Sequence, residues 1–279
     1  MGKNRWFLPL AAGLGFLFLY APIISLVIFS FNANRLVTVW SGFSTQAYAD
    51  LWADPQLLPA TWLSLQIAAV SATIALVLGT LCAVALVRFR RFRGKTVLQA
   101  TVSAPLVMPD VITGIALLLL FVTMQSLIGW PQGRGILTII LAHSTFCTAY
   151  VTVVVQSRLA DFDMSLEEAA MDLGASPLRV FFDVTLPIIA PALVSGWLLA
   201  FTLSLDDVVI ASFVAGPSST TLPIEVFSSV RRGLSPKINA LATLMILVVS
   251  VAAFLGWWFM YREEKRRQRD VQLALQENG

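Results

Sequence analysis

Apolar residues run along this chain in long unbroken stretches, not in the alternating pattern of strands. A stretch of roughly 20 mostly apolar residues, wound as a helix, is long enough to cross a bilayer core. Six such helices are predicted, at residues 6–31, 62–87, 97–124, 136–155, 188–213 and 238–261. The first follows Lys3 and Arg5 in the manner of a signal peptide. It is too long for a signal core, and the small-residue site Ala47-Tyr48-Ala49 lies far beyond its end. An uncleaved first span is therefore expected.

Composition narrows the class. Of the 279 residues, 57% are hydrophobic and 13% are charged, and the mean hydropathy is +0.79. Soluble domains carry about 25% charged residues. A soluble enzyme, a disordered chain and a nucleic-acid partner are excluded. The expected fold class is all-α, a polytopic membrane protein with six transmembrane helices. One His and two Cys are too few for a structural zinc site, so no metal and no cofactor are expected. Cys82 and Cys147 lie inside apolar runs, where a thiol behaves as a small hydrophobe.

The basic residues are sorted. Fourteen of the nineteen Lys and Arg fall on one side of the predicted spans. They are Lys3 and Arg5, the cluster from Arg88 to Lys95, Arg158 and Arg179, and the group from Arg262 to Arg269. Arg35, Arg134, Arg231, Arg232 and Lys237 fall on the other. By the positive-inside rule, both termini are expected in the cytoplasm. The cluster at 88–95 reads as a topology signal, with anionic lipid or a partner subunit as alternatives. Its Gly94-Lys95-Thr96 looks like the end of a phosphate-binding loop, but Phe89 stands where that motif needs its first Gly. No nucleotide site of its own is expected.

The loop 158–187 is far more polar than its surroundings and carries helix punctuation. Ser165 with Glu168 three positions later fits a capping box. Gly174 fits a left-handed helix stop, and Ser176-Pro177 fits a new N-cap and first helical residue. Two short helices are predicted, the second at about 177–183, with Pro187 and Pro191 flanking the start of the fifth span. Leu178, Val180, Phe181 and Phe182 make that second helix apolar. Packing against the bundle and an exposed docking patch are both open readings.

The run Glu168-Ala169-Ala170, then Gly174, then Val184-Thr185-Leu186-Pro187 after nine residues, resembles the "EAA" signature of the membrane subunits of bacterial ABC importers. Val184 replaces the usual Ile. The segments 104–114 and 203–213 are similar to permeases of the polyamine-importing branch, more to its putrescine than its spermidine members. The resemblance implies a type I ABC importer permease fold, with a first helix and outer loop at 1–60, a permease core at 61–270 and a tail at 271–279. It implies a bacterial inner-membrane location and a transport subunit that is not itself an enzyme. The implied partners are a homologous permease, two copies of a cytoplasmic ABC ATPase and a periplasmic polyamine-binding protein. Carried over, Glu168, Ala169, Ala170, Gly174, Pro177, Phe181 and Phe182 are the expected ATPase-coupling residues.

Three carboxylates fall within predicted spans: Asp110, Asp206 and Asp207. An ionisable residue at membrane depth is costly and marks a functional hypothesis. Pro105 and Pro109 break the third span, and broken helices in transporters line cavities. On a helical wheel Ser103, Asp110, Thr113 and Gly114 share a face, as do Ser195, Thr202 and Asp206. Asp207 lies about 100° from Asp206 and could face a neighbouring helix or the outer loop. Ser103, Asp110, Thr202, Asp206 and Asp207 are the expected substrate path, with a helix-capping role as the alternative for Asp110 and for Asp206. The span cores hold no Lys or Arg, so a small cationic cargo fits: putrescine by the resemblance, spermidine or another cation otherwise. His143, one turn before Cys147, is expected to be an interhelical hydrogen-bonding residue, with a metal ligand or proton relay as the alternative. The outer loop 215–237 is long enough for a short helix. A self-contained secondary transporter is the remaining alternative, but it would have no use for a partner-facing helix pair.

Overall fold

The computed structural model describes residues 7–34, 39–89, 91–233 and 235–277. The expectations resting on Lys3, Arg5, Arg35 and Arg90 lie outside the described residues. Twelve α-helices follow in order: α1 (Phe7–Phe29), α2 (Gln46–Trp52), α3 (Leu57–Arg88), α4 (Lys95–Val107), α5 (Asp110–Ile128), α6 (Ile136–Ala160), α7 (Ser165–Asp172), α8 (Pro177–Val180), α9 (Leu186–Asp206), α10 (Val209–Val214), α11 (Leu222–Arg232) and α12 (Pro236–Glu277). Among the described residues, six helical segments are long and apolar enough to cross a membrane: α1, α3, α5, α6, the run Pro177–Asp206, and Pro236–Trp258 of α12. Apart from an isolated bridge between Asn32 and Phe43, the described residues form no β-pairing.

The chain divides into two compact units. One comprises Met1–Pro55 with Ser229–Gly279. Here α12 touches α1 and α2, and Lys237 Nζ pairs with Asp54 Oδ2 at 2.5 Å. Phe31 stacks on Phe43 at 5.3 Å beside the Asn32–Phe43 bridge.

The other unit, Gln56–Ser228, is built around α6, flanked by α3 and α9. Its helices approach closely because α3 offers small residues: Ala68, Ala72, Ala75, Gly79 and Ala83 are all buried. Helices in lipid gain little from apolar burial alone, so close packing of small residues carries the association. Val151 of α6 is fully buried. A Cβ on Gly79 would lie 2.7 Å from its Cγ1, and one on Gly196 of α9 would lie 3.5 Å away. Val151 is thus seated between two glycines. Trp197 of α9 adds a hydrogen bond from its indole N–H to Thr73 Oγ1 of α3, at 3.1 Å.

Two predicted spans are corrected. The third is two helices: α4 ends at Val107, and α5 starts at Asp110 after the extended residues Met108 and Pro109. Ser103 therefore does not share a helix with Asp110, Thr113 and Gly114. The fifth span ends at Asp206, not 213. Asp207 turns extended (φ −66°, ψ 125°), and α10 is a separate short helix. In the other direction the helix runs back without interruption to Pro177. A π-turn at Phe181–Thr185 joins α8 to α9, with Leu186 N–H bonded to Phe181 O, five residues back. Pro187 has no N–H to give the carbonyl four residues before it, and the wider turn absorbs that gap. The predicted separate helix at 177–183 is instead the start of this element, α8 and the first part of the π-turn. The expected short helix in 215–237 is α11, whose Leu222 N–H bonds Ser64 Oγ at 2.7 Å.

Candidate functional site

Two regions of the larger unit gather the residues singled out by sequence. The first is a cavity of about 280 Å³ lined by Pro105, Asp110, Thr113, Phe146, Tyr150, Leu203 and the segment Asp206–Ile210. Asp110 is the first residue of α5, and Asp206 is the last of α9. Both are exposed, and neither carboxylate bonds another described residue. The capping alternative for Asp110 finds no counterpart, because its carboxylate accepts no backbone N–H at the start of α5. Two carboxylates from separate helix ends are thus brought to one small space. Phe146 and Tyr150, one turn apart on α6, add aromatic faces that attract cations. These two were missed from sequence. Their spacing on an apolar helix reads equally as core.

Asp207 is engaged differently. Its Oδ1 accepts Ile210 N–H at 3.2 Å, and its Oδ2 accepts Ala211 N–H at 2.7 Å, which caps α10. Oδ2 also meets His143 Nε2 at 3.2 Å. The other imidazole nitrogen lies 2.7 Å from Ser204 Oγ. His143 is 1% exposed and is an interhelical hydrogen-bonding residue, as expected. Thr202 returns its hydroxyl to Leu198 O at 2.8 Å, and neither it nor Ser103 lines the cavity. Both cysteines are free, and Cys147 donates its thiol to Ala200 O.

The second region is the loop 158–187. Its first helix, α7, ends in two bonds that define a glycine-stopped terminus: Gly174 N–H to Met171 O at 2.9 Å and Ala175 N–H to Ala170 O at 3.1 Å. Gly174 takes φ +83°, the left-handed region that costs a residue with a Cβ. The start of α7 departs from expectation. Ser165 does not cap it through a box with Glu168. Asp163 Oδ1 accepts Ser165 N–H at 3.0 Å instead. That bond, with the Ser165 hydroxyl, holds the Asp163 carboxyl below the usual aspartate range. Pro177 opens α8 as the first helical residue.

The loop presents an apolar surface. Leu173 is 91% exposed and Leu178 73% exposed, and Phe182 is also exposed. Val180 is buried, and Phe181 is half-buried against Phe182 in an edge-on contact at 5.3 Å. The packing reading thus holds for Val180, while Leu178 and Phe182 stay exposed. Glu168 and Ala169 are exposed, and Ala170 is half-buried. Glu167 lies in the first turn of α7. It accepts Arg88 Nη2 and the Thr185 hydroxyl on one oxygen, both at 2.5 Å.

The model of one transport family, the binding-protein-dependent transport system inner membrane component, matches residues 75–269. The chain belongs to that family. It is 62% identical over 261 residues to the putrescine transport system permease protein PotI of Escherichia coli (strain K12), covering 94% of this chain and 93% of that protein. The spermidine/putrescine transport system permease protein PotC of Haemophilus influenzae is 45% identical over 83% of this chain and 87% of its own. Among solved structures, a chain of a bacterial ABC transporter involved in import of the acidic polysaccharide alginate matches with TM-score 0.70 at 19% identity, covering 93% of this chain and 98% of that one. The inward-facing MetNI methionine ABC transporter matches with TM-score 0.60 at 18% identity, covering 75% and 94%. The latter two speak to the fold alone.

The permease is thus a multi-pass inner-membrane transport component with the ABC importer fold. Membership sets aside the self-contained secondary transporter. Within the matched region lie both the cavity, from Pro105 to Ile210, and the whole loop from Arg158 to Pro187. Among the described residues, no three His, Cys, Asp or Glu side chains are grouped to hold a metal.

Proposed function

We propose that this permease forms the translocation path of an ATP-driven polyamine importer and that its cargo is putrescine. The reading is carried by the two unengaged carboxylates, Asp110 and Asp206, on one small cavity with Phe146 and Tyr150. A dication leaving water needs charge and π-faces in return, and about 280 Å³ is at the low end of small-molecule sites, which begin near ~300 Å³. The relatives named above for putrescine and spermidine support the class. Asp207 belongs to the wall of this site and Thr202 and Ser103 to its approaches. A homologous permease completes the path, and a periplasmic binding protein delivers the cargo.

Both termini face the cytoplasm, which puts loop 158–187 on the side of a pair of ABC ATPases. Glu168, Ala169, Ala170, Gly174, Pro177, Phe181 and Phe182 form the coupling element that meets one of them. ATP hydrolysis belongs to that partner.

The test is ATP-dependent uptake of labelled putrescine and of spermidine by the complete complex in proteoliposomes. Asp110→Asn and Asp206→Asn should each lower putrescine uptake while the complex still assembles. Normal uptake by both variants would sink the reading, and faster uptake of spermidine than putrescine would reassign the cargo.

A further inference from the structure

The two unengaged carboxylates sit at helix ends, Asp110 opening α5 and Asp206 closing α9. Their separation is therefore set by whatever joins α9 to α5, and that joint is α10. At the start of α10, Asp207 accepts the N–H groups of Ile210 and Ala211. Near its end, Phe213 packs on α5 so closely that a Cβ on Gly114 would come within 2.5 Å of the ring. Asp207 is gripped in turn by His143 of α6, whose second nitrogen holds Ser204. An ionised carboxylate only accepts, so Nε2–H donates to Asp207, and the Nδ1 side is joined to the Ser204 hydroxyl. One buried imidazole thereby ties two points of the α9 end to α6. One point is Ser204, inside the helix, and the other is Asp207, just beyond it. Asp206 lies between the tied points.

Two buried polar groups, His143 and Ser204, with a half-buried carboxylate are an expensive way to hold two helices, since apolar packing would do as well. What they add is direction: hydrogen bonds fix the rotation and stopping point of α9 where packing would allow slippage.

We propose that His143 is a positioning residue that sets the distance between Asp206 and Asp110, and with it the length of diamine the cavity accepts. This rests on the cargo reading above. A dication gains most when both ammonium groups meet carboxylates at once. A fixed pair of carboxylates selects one methylene count, and a loose pair tolerates several.

The test is uptake by the complete importer of putrescine and of diamines one methylene shorter and one longer. His143→Leu should raise KM for putrescine about tenfold with a smaller change in maximal rate, and should flatten the KM ratios among the three diamines. His143→Gln, which keeps an N–H toward Asp207, should restore part of the discrimination. Ser204→Ala removes one bond with little change in packing and should shift the ratios the same way, so the answer does not depend on His143→Leu assembling. Unchanged ratios in Ser204→Ala and in any assembling His143→Leu overturn the proposal. If Asp110→Asn and Asp206→Asn also leave uptake normal, the cargo reading has failed. If those two impair uptake while the ratios hold, only the positioning role has failed.

Discussion

Arg88, the last residue of α3, pairs with Glu167 in the first turn of α7 at 2.5 Å, and both side chains are only 14% exposed. Arg88 also lies 5.2 Å above the Phe162 ring and contacts the Met164 sulfur. Because Glu167 also holds Thr185 in the π-turn, one carboxylate fastens three elements. Glu167→Ala leaves Arg88 and the buried Thr185 hydroxyl without that partner, and should cost ~1–3 kcal/mol. Thermal unfolding of the purified permease measures it. The Arg88→Ala, Glu167→Ala double variant should lose less than the sum of the singles; strict additivity would show that the pair contributes no coupling.

Leu173 and Leu178 are exposed by 91% and 73%, so polar replacements there touch little else in the chain. Leu173→Ser and Leu178→Ser should leave permease stability within about 0.5 kcal/mol while lowering the amount of ATPase that co-purifies. Full retention of the ATPase would move the docking surface elsewhere.

Asp163 is a pH-dependent cap. Its folded-state pKa is lowered by the Ser165 N–H and hydroxyl. Its contribution to the start of α7 is therefore fully present above the ordinary aspartate range and lost as pH falls through the lowered folded value. Protection factors of the α7 amides, which remove the intrinsic pH dependence of exchange, should fall on acidification through that window. In Asp163→Asn, this part of the pH dependence should vanish.

Gly79 leaves no room for a side chain: a Cβ there would sit 2.7 Å from Val151 Cγ1 and 3.1 Å from the Thr152 backbone nitrogen. Gly79→Ala should destabilise by about 1–3 kcal/mol through overpacking. Adding Val151→Ala should recover part of it, read as yield and melting temperature in detergent. No recovery would mean the backbone contact, not Val151, sets the limit.

The membrane helices were legible because crossing a bilayer imposes a length and a composition that few other elements share. Their ends were less so. The break between α4 and α5 was signalled by Pro105 and Pro109, yet its position after Val107 moved Ser103 off the face it was expected to share with Asp110. The end of α9 had no Gly or Pro to announce it. It is dictated by Asp207 capping α10 and bonding His143, a residue 64 positions away. The Arg88–Glu167 pair spans 79 positions. Such partnerships leave no local pattern. The α7 boundary shows a subtler limit: Ser165 and Asp163 are both good capping types, and only the backbone path decides that the carboxylate does the work.

The unbroken helix from Pro177 to Asp206 has a mechanical consequence. Thirty residues at 1.5 Å each make a rod roughly 45 Å long, with one end in the loop that bears the EAA run and the other at a cavity carboxylate. A rod transmits displacement without needing a relay of side chains. A push or twist at Pro177 arrives at Asp206 as motion of the same body. The π-turn near its base and Pro191 beyond it are where its regular winding is interrupted.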